Sequence, residues 1–562
     1  MAPTTRTTER LRRALLAPVS APALAIGVTS AALSLTPSLL PRTWVMQGLL
    51  AGMSLAAGYA SALLGRVLWR QLGLPFPAPQ RAQWWRAAWL TPAVALLAFC
   101  LVRSPVWQDD VRRLMALPPL DEWYRWRVAA IAALLFVALL ALARGFRMLQ
   151  HLLAHPLRGR LPQPLVRNLA FLGAVSFCWV LANGVLLRAA LQTLDGTYRE
   201  LDQWVEDDSP DQGSLRQSAG MAQRAGLTSE VLGRHGRRFI RDRSDSASIH
   251  AATGQARQQP LRVYVGLAAA DSISARVDLA FRALVDEGAF DRRVLLITTP
   301  TGSGWVDPPA VAALEHLVHG DVATVAVQYS YLPSWLSLLS ESAYGAETAD
   351  ALFRRIHTHW QSLPTARRPR LVVHGVSLGA LNSELAVNLY DLLDAPIDAA
   401  LWVGPPFRSR AWRALVDNRD AGSPAWLPVY RGGRTVRFAN QFRRASDPST
   451  PWSGTRILYL HYASDPVSFF DPMILWRPPA WLQAPRGQDV TPRLRWYPLV
   501  TALQLAADFA VADRLPRGFG HMYAVRDYVH AWAALLDPPG WTPESLDRLS
   551  EHLSQAPCCR EP

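Results

Sequence analysis

A chain of 562 residues exceeds one ordinary core, so at least two structural units are expected, and half of its residues are apolar. The formal charge of +14 sits wholly in residues 1–195, which hold 20 Arg against 6 acidic residues, whereas 196–562 hold 38 of each. A basic excess confined to the apolar region marks juxtamembrane loops and anionic headgroups rather than a phosphate-binding face, which excludes nucleic acid as the expected partner.

No lysine occurs, a coding bias of the kind GC-rich bacterial genes show. Cys100, Cys178, Cys558 and Cys559 have neither metal-ligand spacing nor a disulfide framework, so no metal and no cofactor is expected.

The first 195 residues read as a multi-span transmembrane region. Five uncharged runs, Ala14–Pro41, Thr43–Gly65, Ala87–Val102, Val128–Ala143 and Asn168–Leu187, are the expected spans across a ~30 Å hydrocarbon core. Arg flanks each of them, and Trp84 and Trp85 stand before the third, where they suit the interface. An odd number puts the termini on opposite sides. With the N-terminus inside, the cytoplasmic segments carry 13 Arg and only Glu9, while the opposite side holds Arg42 and a stretch whose five Arg are offset by Asp109, Asp110, Asp121 and Glu122. The positive-inside rule therefore predicts a multi-pass protein of the plasma (inner) membrane, an uncleaved N-terminal anchor and an extracytoplasmic remainder.

Residues 196–258 are polar and aperiodic and read as a linker with one or two short helices. From 259 to 540 β-rich runs alternate with helical patterns. The strands are Leu261–Val265, Val294–Thr299, Val322–Gln328, Arg370–His374, Asp398–Val403 and Arg456–His461, and a tail follows from 541 to 562. Apolar strands separated by helices imply an α/β fold, a mostly parallel sheet covered on both faces. Between 404 and 455 the rhythm lapses into about fifty residues rich in Arg, Pro and Trp, which read as a cap-like insertion.

At the end of the fourth strand stands His374-Gly375-Val376-Ser377-Leu378-Gly379-Ala380, a G-x-S-x-G directly before a helical pattern, Gly379–Leu393. A serine on a tight strand-to-helix turn projects its Oγ above the sheet, and Gly375 and Gly379 keep side chains away from that turn, so bulk at either is expected to cost activity before stability. The Leu378 amide is one candidate oxyanion donor. The loop Pro300-Thr301-Gly302-Ser303-Gly304 supplies the other from Thr301 or Gly302, since Pro300 cannot donate, with Ser303 as polar lining. A serine nucleophile needs a base and an orienting carboxylate. Asp465, at the C-terminal end of Arg456–His461, is preferred over Asp471, and His521, in Gly520-His521 before the last helical run, over His374 and His461. The order Ser377, Asp465, His521 is that of nucleophile-elbow hydrolases.

These residues, with Ser34–Arg42 (SLTPSLLPR), Gly233–Phe239 (GRHGRRF), Gly404–Phe407 (GPPF) and His461–Pro466, resemble a bacterial membrane-anchored α/β-hydrolase family in which a multi-span N-terminal region precedes the catalytic domain. The resemblance implies the fold, the anchor and the triad positions, but no substrate. It departs in one place: no strand is legible between Asp465 and His521, where Leu499–Val511 reads as helix. Trp412, Trp426 and Trp452, with Trp335, Trp476, Trp481 and Trp496, suit either an acyl pocket, a bilayer interface or ordinary packing. The expected function is hydrolysis of a carboxylic ester, amphiphilic or lipid-derived, through an acyl-enzyme. Acyl transfer by the same triad and a non-catalytic scaffold or receptor are the alternatives.

Overall fold

The structure, a computed structural model, describes residues 19–74, 82–181, 229–332, 342–387, 394–444 and 450–560. The chain divides into two compact units. One takes in residues 1–194 together with Pro472–Pro479 and Val490–Val511, and the other Asp195–Asp471, Ala480–Asp489 and Ala512–Pro562.

The first unit is helical: α1 (Ala21–Ser34), α2 (Trp44–Gln71), α3 (Ala82–Leu114), α4 (Tyr124–Ala154) and α5 (Gln163–Trp179). Three of its helices, α2, α4 and Ala88–Leu114 within α3, are long and apolar enough to cross a membrane. Leu134, Val137 and Leu142 stand exposed along α4, an apolar face suited to lipid. Small residues bring the helices close: a methyl group on Gly27 would stand 2.7 Å from the Leu55 carbonyl and one on Gly48 2.6 Å from Ile131.

Five spans were expected, so the count is corrected to three among the described residues. The third and fourth lie within α3 and α4, but α1 has 14 residues, about 21 Å. It stops because Pro37 and Pro41 interrupt the expected first run. Residues 14–18 of that run and 182–187 of the fifth lie outside the described residues.

The segment after α1 is pinned by a helix from far along the chain. The expected helix at Leu499–Val511 is present as Val500–Phe509 and belongs to this unit. Its Asp508 carboxylate accepts from Ser38 Oγ (2.9 Å), the Leu39 amide (3.1 Å) and Arg42 Nε (2.9 Å). Gln504 Nε2 donates to the Thr36 carbonyl at 3.0 Å, and Arg42 also donates from Nη1 to Gln47 Oε1 at 2.8 Å and from its amide to Gln108 Oε1 at 2.9 Å. Both charged side chains are fully buried. Ser34–Arg42 is thus a socket for one buried carboxylate.

The second unit begins with α6 (Ser229–Arg241) and α7 (Ser246–Thr253), the short helices expected in the linker; residues 196–228 lie outside the described residues. Seven strands follow: β1 (Leu261–Val265), β2 (Val294–Thr299), β3 (Val322–Val327), β4 (Arg370–Val376), β5 (Ala399–Val403), β6 (Val436–Ala439) and β7 (Arg456–Leu460), with spatial order β1-β3-β2-β4-β5-β7-β6. Every pairing is parallel. Burial is almost complete along the strands, as both-faced coverage demands.

Helices α9 (Pro308–Leu317), α14 (Val525–Leu536) and α15 (Pro543–Gln555) pack together over one face, against Leu296, Val372, Leu401 and Leu458. Helices α8 (Ile273–Asp286), α10 (Ser342–Ser362) and α11 (Leu378–Ala386) pack with one another. The remaining helices are α12 (Arg410–Asp417) and α13 (Val500–Phe509), the latter in the first unit. The stretch 404–455, read as an insertion outside the sheet, contributes the edge strand β6. That strand occupies the place beside β7, the end of the sheet where a later strand was missing from the sequence.

Candidate active site

The C-terminal ends of β2, β4, β5 and β7 gather the residues singled out by sequence, as open parallel sheets arrange their sites. At the end of β4 the chain turns through Ser377, with φ 56° and ψ −123°, directly into α11. That is a conformation a side chain rarely adopts, and it costs on the order of 1–3 kcal/mol. The Ser377 amide donates to the Val403 carbonyl at the end of β5, 2.9 Å away, which fixes the turn to the sheet.

Both flanking glycines are required by contact with backbone. A methyl group on Gly375 would stand 2.2 Å from the Gly379 carbonyl, and one on Gly379 2.2 Å from the carbonyl of Thr299. Backbone cannot step aside as a flexible side chain can, so stability falls along with activity. Gly379→Ala is expected to cost about 3 kcal/mol, read as a lower melting temperature of the detergent-purified protein; an unchanged melt would show that the contact yields.

The oxyanion candidates separate. Leu378 opens α11, where the first amides have no acceptor within the helix. The Thr301 amide donates to the Trp305 carbonyl at 2.9 Å, closing a turn, which leaves Gly302 as the candidate from that loop. Two side chains brace it: Tyr264 Oη donates to the Gly304 carbonyl (2.8 Å) and Gln328 Nε2 to the Ser303 carbonyl (3.0 Å).

Asp465 follows β7, fully buried, and accepts from the Val467 amide at 2.8 Å. Its Oδ2 meets His521 Nδ1 at 2.7 Å and accepts from Tyr523 Oη at 2.6 Å. Asp465, not Asp471, is therefore the partner of His521. The Nε2 of His521 is buried with no hydrogen-bond partner among the described residues, Ser377 included. Serine and imidazole nevertheless border the same dipeptide. Ser377 is bonded to Val403, and the next residue, Gly404 (φ +50°), lies so close to the ring that a methyl group on it would stand 2.6 Å from His521 Cε1. Gly404→Ala is expected to displace the imidazole and cut turnover about hundredfold, while lowering stability by only about 1 kcal/mol; kinetics beside a thermal melt would separate the two effects.

Burial opposes the charged form of His521, but the charge and hydrogen bond of Asp465, with Asp513 and Asp307 behind it, outweigh that and hold its pKa above the ordinary imidazole value. The rival histidines are buried neutral, with pKa values lowered by desolvation to about 4. His374 Nδ1 faces the Leu401 carbonyl at 2.8 Å, and His461 Nε2 faces the Trp426 carbonyl at 2.9 Å.

Sequence reasoning missed Tyr523, Gly404 and Asp307. Asp307 is buried at the start of α9, accepts from Tyr528 Oη at 2.6 Å and pairs with Arg517 at 3.5 Å, and Arg517 in turn donates to the Tyr523 carbonyl at 3.0 Å. Tyr523, two residues past His521, and Gly404, in the quoted GPPF, were in view but carried no signal of what they touch. The tryptophans mostly pack. Trp412 and Trp481 are buried, Trp426 and Trp452 donate to the carbonyls of Pro485 and Ala534, and Trp496 donates to that of Ile474. Trp476 is exposed, and Trp335 lies outside the described residues.

Residues 261–549 match a family described as the Alpha/beta-hydrolase family, and residues 35–242 match the Alpha/beta-hydrolase family N-terminus. No curated protein and no solved structure matches the chain.

Proposed function

We propose, from the premise that this chain belongs to the alpha/beta-hydrolase family, that it is a membrane-anchored serine hydrolase cleaving a carboxylic ester by acyl-enzyme chemistry. The observation that carries the reading is the buried Asp465–His521 pair bordering, through Gly404, the strained turn of Ser377.

In this mechanism Ser377 Oγ attacks the ester carbonyl as His521 Nε2 takes its proton. Asp465 holds Nδ1 and stabilises the imidazolium. The amides of Leu378 and Gly302 receive the developing oxyanion. The imidazolium then protonates the leaving alcohol, and water attacks the acyl-enzyme by the same route in reverse. Three long apolar helices support membrane association, and the arginine asymmetry supports a multi-pass protein of the plasma membrane with its catalytic unit outside the cytoplasm. An ester with an acyl chain, presented at a bilayer, fits that location. The test is labelling by a fluorophosphonate together with a screen of esters of increasing chain length. Ser377-dependent labelling and turnover support the reading; folded protein that reacts with neither would make it a scaffold. A C-terminal reporter active only in the cytoplasm would overturn the orientation.

Only neutral imidazole can act as the base. Because His521 is held above the ordinary imidazole value, its charged form persists to higher pH, and the acid limb of kcat/KM is expected above that of an unperturbed histidine. Asp465→Asn removes the main raising influence and should move the limb down while lowering kcat about 10⁴-fold. A wild-type limb below the ordinary imidazole value would contradict the assignment.

A further inference from the structure

The tail beyond α15 is folded into a tight turn in which the Ala556 carbonyl accepts from the amides of both Cys559 (3.0 Å) and Arg560 (3.1 Å). This turn brings the sulfurs of Cys558 and Cys559 to 2.9 Å, inside van der Waals contact. The two are not equivalent. Cys559 is buried in the cluster of Leu549 and Leu553, whereas Cys558 is half-buried at its edge. The hydrogen bond from Cys559, opposed by burial and aided by Arg262, lowers the Cys558 thiol pKa, and the same bond together with burial raises that of Cys559. Of the two sulfurs, Cys558 is therefore the one that ionises more readily. Cys558, half-buried, is the more open of the two, and Cys559 lines a neighbouring cleft of about 610 Å³ with Arg517 and Arg526 in its wall. Partial access, an adjacent resolving thiol and a neighbour that eases ionisation are the marks of a reversibly oxidised pair.

We infer that Cys558 and Cys559 form a hydroperoxide-reactive dithiol that closes to a vicinal disulfide. The Cys558 thiolate attacks the terminal oxygen of the hydroperoxide, so that an S–O bond forms as the O–O bond breaks, giving a sulfenic acid; the alkoxide, or hydroxide from hydrogen peroxide, takes back from water the proton Cys558 gave up and leaves as alcohol or water. The Cys559 sulfur then displaces the sulfenic hydroxyl, which leaves as water with the Cys559 proton. Two thiols are oxidised by two electrons and one hydroperoxide is reduced. A dithiol reductant reverses the step by exchange.

The test uses the full chain in detergent, reduced, exposed to stoichiometric hydrogen peroxide, alkylated and cut with trypsin. Cleavage after Arg548 and Arg560 isolates both cysteines in one peptide, Leu549–Arg560, free of Cys100 and Cys178. After peroxide this peptide should take up no alkylating groups and weigh two hydrogens less than the dithiol, with dithiothreitol restoring both alkylations. Cys559→Ser should halt at the sulfenic acid, trapped on Cys558 by dimedone, and Cys558→Ser should react about tenfold more slowly. Fluorophosphonate labelling and a thermal melt confirm that each variant is folded. A wild-type peptide that keeps both alkylations, disulfides formed between chains, or Cys558→Ser reacting at the wild-type rate would each overturn the assignment.

Discussion

Ser377→Ala is expected to lower ester turnover about 10⁴-fold or more and to abolish fluorophosphonate labelling, with the protein as folded as before. On the proposed mechanism nucleophile, base and orienting acid act as a unit, so the loss should be nearly all-or-none and adding His521→Ala to it should cost little further. The backbone at this position offers a second, independent readout. Ser377 adopts φ 56°, which an alanine tolerates no better than a serine, whereas glycine does so freely. Ser377→Gly is therefore expected to raise stability by about 1 kcal/mol while eliminating turnover. A stabilised but inactive glycine variant would show that strain is kept at this turn for the position it gives Oγ. A destabilised one would show that the serine contributes to the fold in some other way.

The second large effect is expected in the first unit, which holds none of the proposed catalytic residues. Arg42 and Asp508 are fully buried and paired at 2.9 Å; Ser38 and the Leu39 amide also donate to the carboxylate, and Arg42 also donates to Gln47. Removing either partner strands the other charge in an apolar helical unit, at a cost of about 3–5 kcal/mol. Arg42→Ala and Asp508→Ala should therefore each lower the melting temperature sharply and expose the first unit to proteolysis. Arg42→Met combined with Asp508→Leu leaves no charge unpaired and should recover much of the loss. Equal and additive losses in the single and double variants would rule out the pairing.

Much of the second unit was legible because its signals are local. A strand-turn-helix around G-x-S-x-G carries its own geometry, and six of the seven strands announced themselves as apolar runs bounded by turn residues. The missed strand, Val436–Ala439, has four residues, one of them Arg437, in a stretch crowded with arginine. Only pairing with β7 makes it a strand. Likewise, whether Thr301 or Gly302 offers its amide depended on a turn bond to Trp305 that no composition reveals. The count of spans differs because an uncharged run need not be one continuous helix: Pro37 and Pro41 follow the end of α1. Uncharged sequence reports only that a segment avoids bare charge; the carboxylate that Ser34–Arg42 holds is contributed from elsewhere. Tyr523 and Gly404 lay inside quoted motifs, but their roles rest on tertiary contact with Asp465 and His521.

The distance along the chain between Arg42 and its carboxylate sets a timetable for synthesis. Asp508 leaves the ribosome 466 residues after Arg42, roughly half a minute or more at about 5–20 residues per second. Through that interval the first helices hold a cation with no counter-ion, and the socket stays open while the sheet is being made. The N-terminal helices thus reach their final packing only when the nascent chain is nearly complete. A chain that stops before residue 508 has no carboxylate to offer Arg42.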